Sequence, residues 1–195
     1  MDFPYQTIGV IAGIFSALGY VFYIRALSTH AKNIRPNITS WILWTVSYIL
    51  IVFSYYFSGA RETIWVPLIY ALANIVILFL IYKHGQFRFS TLDIVLLLAT
   101  VVSVAVWITF QSPFYALLIN MAIDGMAILP TALKVYKKPL SEDKTSWLFW
   151  GLAGLTNLFA IRAWTPQIAL YPILAAVFCL VTFAFLYRKP QNFKL

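Results

Sequence analysis

Charge is what this chain has least of. Lys and Arg number 14 and Asp and Glu 6 in 195 residues, 10% together, against about 25% in an ordinary soluble domain. A water-soluble fold of this size has too much surface to hide a sequence that is 62% hydrophobic and 18% aromatic. The mean hydropathy of +0.84 agrees: the solvent is lipid. Cysteine is nearly absent, with Cys179 alone, so no intrachain disulfide or CxxC pair can form. The two histidines, His30 and His84, are too sparse for a metal cluster. There is no P-loop, no Ser-His-Asp set, and no lysine in the last apolar run to hold a retinal Schiff base. These absences point away from an enzyme and away from any cofactor or metal.

The few charges divide the chain into long apolar runs. A helix crosses the hydrocarbon in roughly 20 residues, and the run 94–123 is too long for one crossing. It contains "FQSPF" at 110–114, whose Pro and polar residues read as a turn. The spacing therefore predicts seven helices, at about 5–27, 38–58, 64–83, 91–109, 113–135, 145–161 and 166–187. Barrel strands would alternate apolar and polar residues, and these runs do not. The first run is too long for a signal-peptide core and lacks basic residues before it, so it is expected to stay in the membrane.

Basic residues set the orientation. With the N-terminus outside, twelve Lys and Arg fall on the inner side and only Arg61 and Arg162 outside, the bias of the positive-inside rule. The expectation is an integral protein of a cell (inner) membrane with a cytoplasmic C-terminus. The net charge of +8 then reflects topology. Membrane lipid, anionic lipid included, is the expected contact, and nucleic acid is not. The tryptophans fit interfacial belts: Trp41, Trp44, Trp147 and Trp150 near inner helix ends, Trp65, Trp107 and Trp164 near outer ones. Trp44 and Trp150 lie one turn deeper and are candidates to touch a solute.

One phrase occurs twice, "TSWILW" at 39–44 and "TSWLFW" at 145–150. A shift of 106 also aligns Gly19 with Gly125 and Ala26-Leu27 with Ala132-Leu133. A shift of 105 aligns Pro67 with Pro172, Ala71 with Ala176, and Tyr82-Lys83 with Tyr187-Arg188. The predicted organisation is all-α and three plus one plus three: a three-helix repeat over 1–90, a linker helix over 91–110, and a second repeat over 111–195. The fourth helix inverts the chain, so the two repeats run parallel, a plan known among transporters with a site at the repeat interface. Thr39 and Ser40, like Thr145 and Ser146, are expected as N-caps of the second and sixth helices.

Polar residues inside the apolar runs mark a candidate substrate site. Asp124 is the one ionisable residue deep within a span, where an acid is costly and by default functional. It can carry a coupling proton or accept a substrate hydroxyl. Asn120 and Thr131 share its helix face. Asn74, with Tyr70 one turn away, and Asn157 offer amides to a polar substrate. The competing role for each is interhelical hydrogen bonding. Pro130 interrupts the fifth helix and, with Gly125, forms a candidate hinge. Pro67 and Pro172 are read as structural prolines near helix starts.

This arrangement resembles the PQ-loop superfamily, which includes the SWEET sugar transporters, the lysosomal amino-acid exporters and, in the same fold, the PnuC vitamin-precursor transporters. The likeness rests on the parallel repeats, the outside N-terminus and a Trp-bearing second and sixth helix. In "ILPTALKVYKKPLSEDKTSWLFW" at 128–150, Pro130-Thr131 stands where those families carry Pro-Gln. In "FYIRALSTHAKNIRPNITSWILW" at 22–44, Ile24-Arg25 stands there. The resemblance implies a small-solute carrier working by alternating access, and Asn74 occupies the region where SWEET-like carriers place an asparagine. The rival reading is a membrane receptor, scaffold or assembly factor whose polar residues join helices. Solute identity and a homo-oligomeric state are left open.

Overall fold

Lipid offers the backbone no hydrogen-bond partner, so a chain this apolar must satisfy its amides internally. A computed structural model, which describes residues 3–29, 36, 38–84, 91–110 and 113–188, accordingly consists of helices. They are α1 (Tyr5–Thr29), α2 (Ile38–Phe57), α3 (Trp65–His84), α4 (Thr91–Phe110), α5 (Pro113–Lys137), α6 (Lys144–Phe159) and α7 (Pro166–Phe185), with a 3-10 turn at Pro139–Ser141 between α5 and α6. Each of the seven expected spans coincides with one of these helices. Among the described residues, α1, α2, α3 and α7 are long and apolar enough to cross a membrane. At 16 residues α6 is the shortest, about 24 Å at the usual rise.

The outward faces of the helices are apolar, in agreement with the composition. Outward faces carry Val10, Ile14 and Val21 on α1, Leu72, Ile75 and Phe79 on α3, and Leu98, Val101 and Val102 on α4, all exposed. Ser16, Ser47, Asn74, Asn120, Ser146 and Asn157 are fully buried instead. Apolar groups cover the outside because the surrounding hydrocarbon takes them without penalty. Polar groups turn inward, where other helices can satisfy them. The chain is an all-α membrane protein.

In the packing, α1 lies against α3 and α6, α2 against α3 and α5, and α7 against α5 and α6, while α4 rests on α5 and α2. Helix ends explain several sequence details. Gly59, at φ 77°, closes α2: its N–H donates to the Tyr56 carbonyl at 3.3 Å, and the next N–H, of Ala60, reaches back to Tyr55 at 3.0 Å. That is a Schellman end, which favours glycine because of the left-handed backbone. The N-cap of α6 is Asp143, whose Oδ2 accepts from the Ser146 N–H and hydroxyl, both at 2.8 Å. Thr145 and Ser146 therefore lie inside α6, as Thr39 and Ser40 lie inside α2. The expected caps are corrected: a carboxylate two residues before Thr145 holds this end, having two lone-pair oxygens and a charge suited to a helix N-terminus.

Proline placement also needs correction. Pro67 lies in the first turn of α3, where a missing N–H costs nothing, but Pro172 lies inside α7. Proline there leaves the carbonyl four residues earlier, Ile168, without its helical donor. The Tyr55 hydroxyl of α2 donates to that carbonyl at 2.7 Å. A defect in one helix is thereby converted into a bond with another. Helix α5 runs unbroken through position 130 to Lys137; the Pro130 side chain lies outside the described residues.

Candidate functional site

Six helices converge on one cavity. Asp124 and Ile128 reach it from α5, Trp41, Trp44 and Tyr48 from α2, and Trp147 and Trp150 from α6. Tyr20 comes from α1, Tyr70 from α3, and Ala175, Phe178 and Cys179 from α7. Its volume, over the positions a water-sized sphere can occupy, is about 40 Å³. A single water needs roughly 10–15 Å³ by that measure, so a few waters or one small group would fill it.

The walls are aromatic because the repeated phrase spaces two indoles three residues apart, which puts both on one helix face. The two pairs have matching geometry: Trp41 and Trp44 lie 5.4 Å apart at 85°, Trp147 and Trp150 5.3 Å apart at 84°. Trp41 meets Trp150 at 6.5 Å and 64°. Tyr20 joins the two sides, 5.1 Å from Trp150 and 5.5 Å from Tyr70, and Tyr48 stands 5.0 Å from Tyr70. These are edge-to-face or tilted contacts at favourable spacings, so the wall is held by its own rings. A close approach of α1 to α6 seats it: a Cβ added at Gly19 would lie 2.5 Å from Cδ1 of Trp150.

Among the described residues, Asp124 is the one acidic or basic residue of the lining. It is 8% exposed, Tyr48 lies with it in the lining, and its Oδ1 has no hydrogen-bond partner. The indole N–H groups of Trp147 and Trp150 are likewise buried without acceptors. Among the described residues, no basic side chain lines the cavity. Further along α5, Lys134 forms an ion pair with the buried Glu142 beside the 3-10 turn.

Of the residues expected at a substrate site, Asp124, Trp44 and Trp150 line the cavity. Asn74 stands directly behind the lining, its Oδ1 accepting from the Tyr20 hydroxyl at 2.5 Å. Asn120 is fully buried on the same helix as Asp124 but does not line the cavity. Asn157 lies elsewhere, its amide donating to the Thr63 backbone carbonyl at 3.1 Å. Gly125 of the candidate hinge faces Phe178, whose Cζ would lie 3.1 Å from an added Cβ. Trp41 and Trp147, read as belt residues, are each only 4% exposed and belong to the wall, whereas Trp164, 66% exposed, suits an interface.

Sequence reading missed Tyr20 and Tyr48 altogether and named Tyr70 only as a neighbour. A signal was available. A phenol in mid-span must find a partner for its hydroxyl, so a mid-span tyrosine marks an inward face. No protein-family model, curated protein or solved structure matches this chain.

Proposed function

We propose that the protein is a carrier for a small polar solute, built from two parallel three-helix units, α1–α3 and α5–α7, joined by α4, with the N-terminus outside. The single observation that carries this reading is the acid-bearing aromatic cavity, lined by residues of all six helices of the two units. Support for the duplication comes from the packing pattern. Exchanging α1, α2 and α3 for α5, α6 and α7 turns the α1–α6 contact into α5–α2, α1–α3 into α5–α7, and α2–α3 into α6–α7, and every one of these contacts occurs. Helix α4 stays at the edge on α5 and α2.

A solute site between such units is reached from alternate sides by rocking one unit against the other. The bonds that join the units lie away from the cavity. Where α2 and α6 finish, Tyr55 bonds the Ile168 carbonyl and Asn157 the Thr63 carbonyl. Where α2 starts, the Ser40 hydroxyl reaches the Ala127 carbonyl of α5 at 3.2 Å. Opening one end means breaking its few bonds while the other end holds. Gly125, with Pro130 five residues on, is the hinge proposed within α5.

These same bonds favour a second reading, a receptor or scaffold in which polar residues only join helices. Counterflow in proteoliposomes separates the two. Purified protein is reconstituted, vesicles are loaded with unlabelled sugars, amino acids or amines, and entry of the matching labelled solute is followed. A carrier accumulates label transiently for one chemical class and loses that activity in Asp124→Asn. Equal entry into protein-free vesicles for every class would end the carrier reading.

A further inference from the structure

We propose that the cavity binds a small organic cation, an ammonium head with alkyl or hydroxyalkyl groups, with Asp124 as its counter-ion and the indole and phenol rings as its box. The inference rests on the carrier reading only for what the protein does with the cation, not for its binding.

Three observations on the page support it. The first is charge. Asp124 is buried with one carboxyl oxygen unpartnered, and among the described residues no Lys, Arg or His lines the cavity. Lys134 lies ten residues further along α5, about 15 Å by helical rise, and is engaged by Glu142. An ionised carboxylate out of water needs a counter-charge, and a cation in the cavity would supply it. An anionic solute would meet the carboxylate at close range and be repelled.

The second is the wall. Eight of the twelve lining residues are aromatic, and indole and phenol faces carry the negative pole of the ring quadrupole, which attracts an ammonium, tryptophan most strongly. Of the lining hydroxyls, that of Tyr20 is given to Asn74 and that of Tyr70 has no partner. The third is size. Taken as a sphere, 40 Å³ of water-centre space plus a water radius makes a ball about 3.5 Å in radius, close to that of a quaternary ammonium head.

Matched probes test this directly. Choline and tetramethylammonium are compared with their neutral isosteres, 3,3-dimethylbutan-1-ol and tert-butanol, on the full-length protein in detergent, with sodium chloride holding ionic strength constant. Tryptophan fluorescence and thermal stability are the readouts, since Trp44, Trp147 and Trp150 face the site. The expected result is saturable binding of a cation at least tenfold tighter than its isostere, and at least tenfold weaker binding in Asp124→Asn. Phe79→Leu, on the exposed outward face of α3, keeps the wild-type affinity. Isosteres that bind as tightly as the cations, or an Asp124→Asn variant with unchanged affinity, overturn the proposal. Should Asp124→Asn fail to fold, the cation-to-isostere ratio on the wild type decides by itself, as does an absence of cation binding. The two readings fail separately. Cation binding without counterflow removes the carrier and keeps the site; counterflow of a neutral solute without cation binding does the reverse.

Discussion

Helices α2 and α6 begin with TSWILW and TSWLFW and set their tryptophan pairs at 5.4 and 5.3 Å, yet past those pairs they serve different ends. Where α2 carries Thr45, Tyr48 and Ile51, α6 carries Gly151, Gly154 and Asn157 at the same spacing. Both reach α7, by different means. Gly154 brings the α6 backbone against Ala176, so close that an added Cβ would lie 2.7 Å from the Ala176 Cα. Helix α2 reaches the same helix through the long arm of Tyr55. Small residues make α6 a close-packed neighbour of α7, and phenols leave α2 free to wall a cavity. A shared phrase thus fixes one feature, the indole pair, and leaves the rest of each helix to take a separate role.

The largest effect should come from erasing that difference at Gly154. In Gly154→Val the new methyls meet backbone, which cannot swing aside as a side-chain tip can. Overpacking of this kind costs typically 1–3 kcal/mol and at times more. By the scaling for domains of this size, the melting temperature in detergent should fall by roughly 2–12 °C, read by fluorescence-detected size exclusion after heating. A melting temperature within 1 °C of the wild type would mean that α6 and α7 are not in backbone contact.

The other route to α7 gives the next effect. Tyr55→Phe leaves the Ile168 carbonyl buried without a donor, a loss of about 1–3 kcal/mol. Pro172→Ala restores the N–H that Ile168 lacks. The two changes should therefore be non-additive: in the Pro172→Ala background, Tyr55→Phe should lower stability by less than half as much. A double-mutant cycle measures this coupling. Additive losses would show that Tyr55 and Pro172 do not act on the same carbonyl.

Hydropathy and charge spacing made the helices legible in the sequence, because a lipid-spanning segment advertises itself by length and lack of charge. Asp124 was legible for the same reason, as a lone charge in such a segment, and Trp44 and Trp150 through the repeated phrase. Facing was not legible from hydropathy. Tyr20, Tyr48 and Tyr70 sit in runs so uniformly apolar that no periodicity separates inside from outside, and only their phenols mark the inward face. Which helix that face meets depends on pairing, α1 with α6 and α2 with α5. The same gap misread Trp41 and Trp147 as belt residues: an indole near a helix end suits the headgroups or a wall equally well until the neighbouring helix is known. Asn157 follows the same logic, its amide N–H donating to the Thr63 carbonyl, a contact between segments 94 residues apart.

The smallest effect separates the two phrases at their shared serine. In α6, the Ser146 N–H and hydroxyl both donate to the Asp143 carboxylate, which holds the first turn. In α2, the corresponding Ser40 hydroxyl is turned to another helix, at the Ala127 carbonyl, itself within the helical span of α5. Removing the cap in Asp143→Ala should cost about 1 kcal/mol, or roughly 2–4 °C in melting temperature, with Asp143→Asn recovering most of it because an amide oxygen still accepts. Ser40→Ala should cost less than Asp143→Ala, since its acceptor lies in the span of an intact helix and loses only a second donor. If Ser40→Ala proves the more damaging, the serine of α2 holds the α2–α5 contact together. The phrase would then be structural at two points, the indole pair and the serine, rather than one.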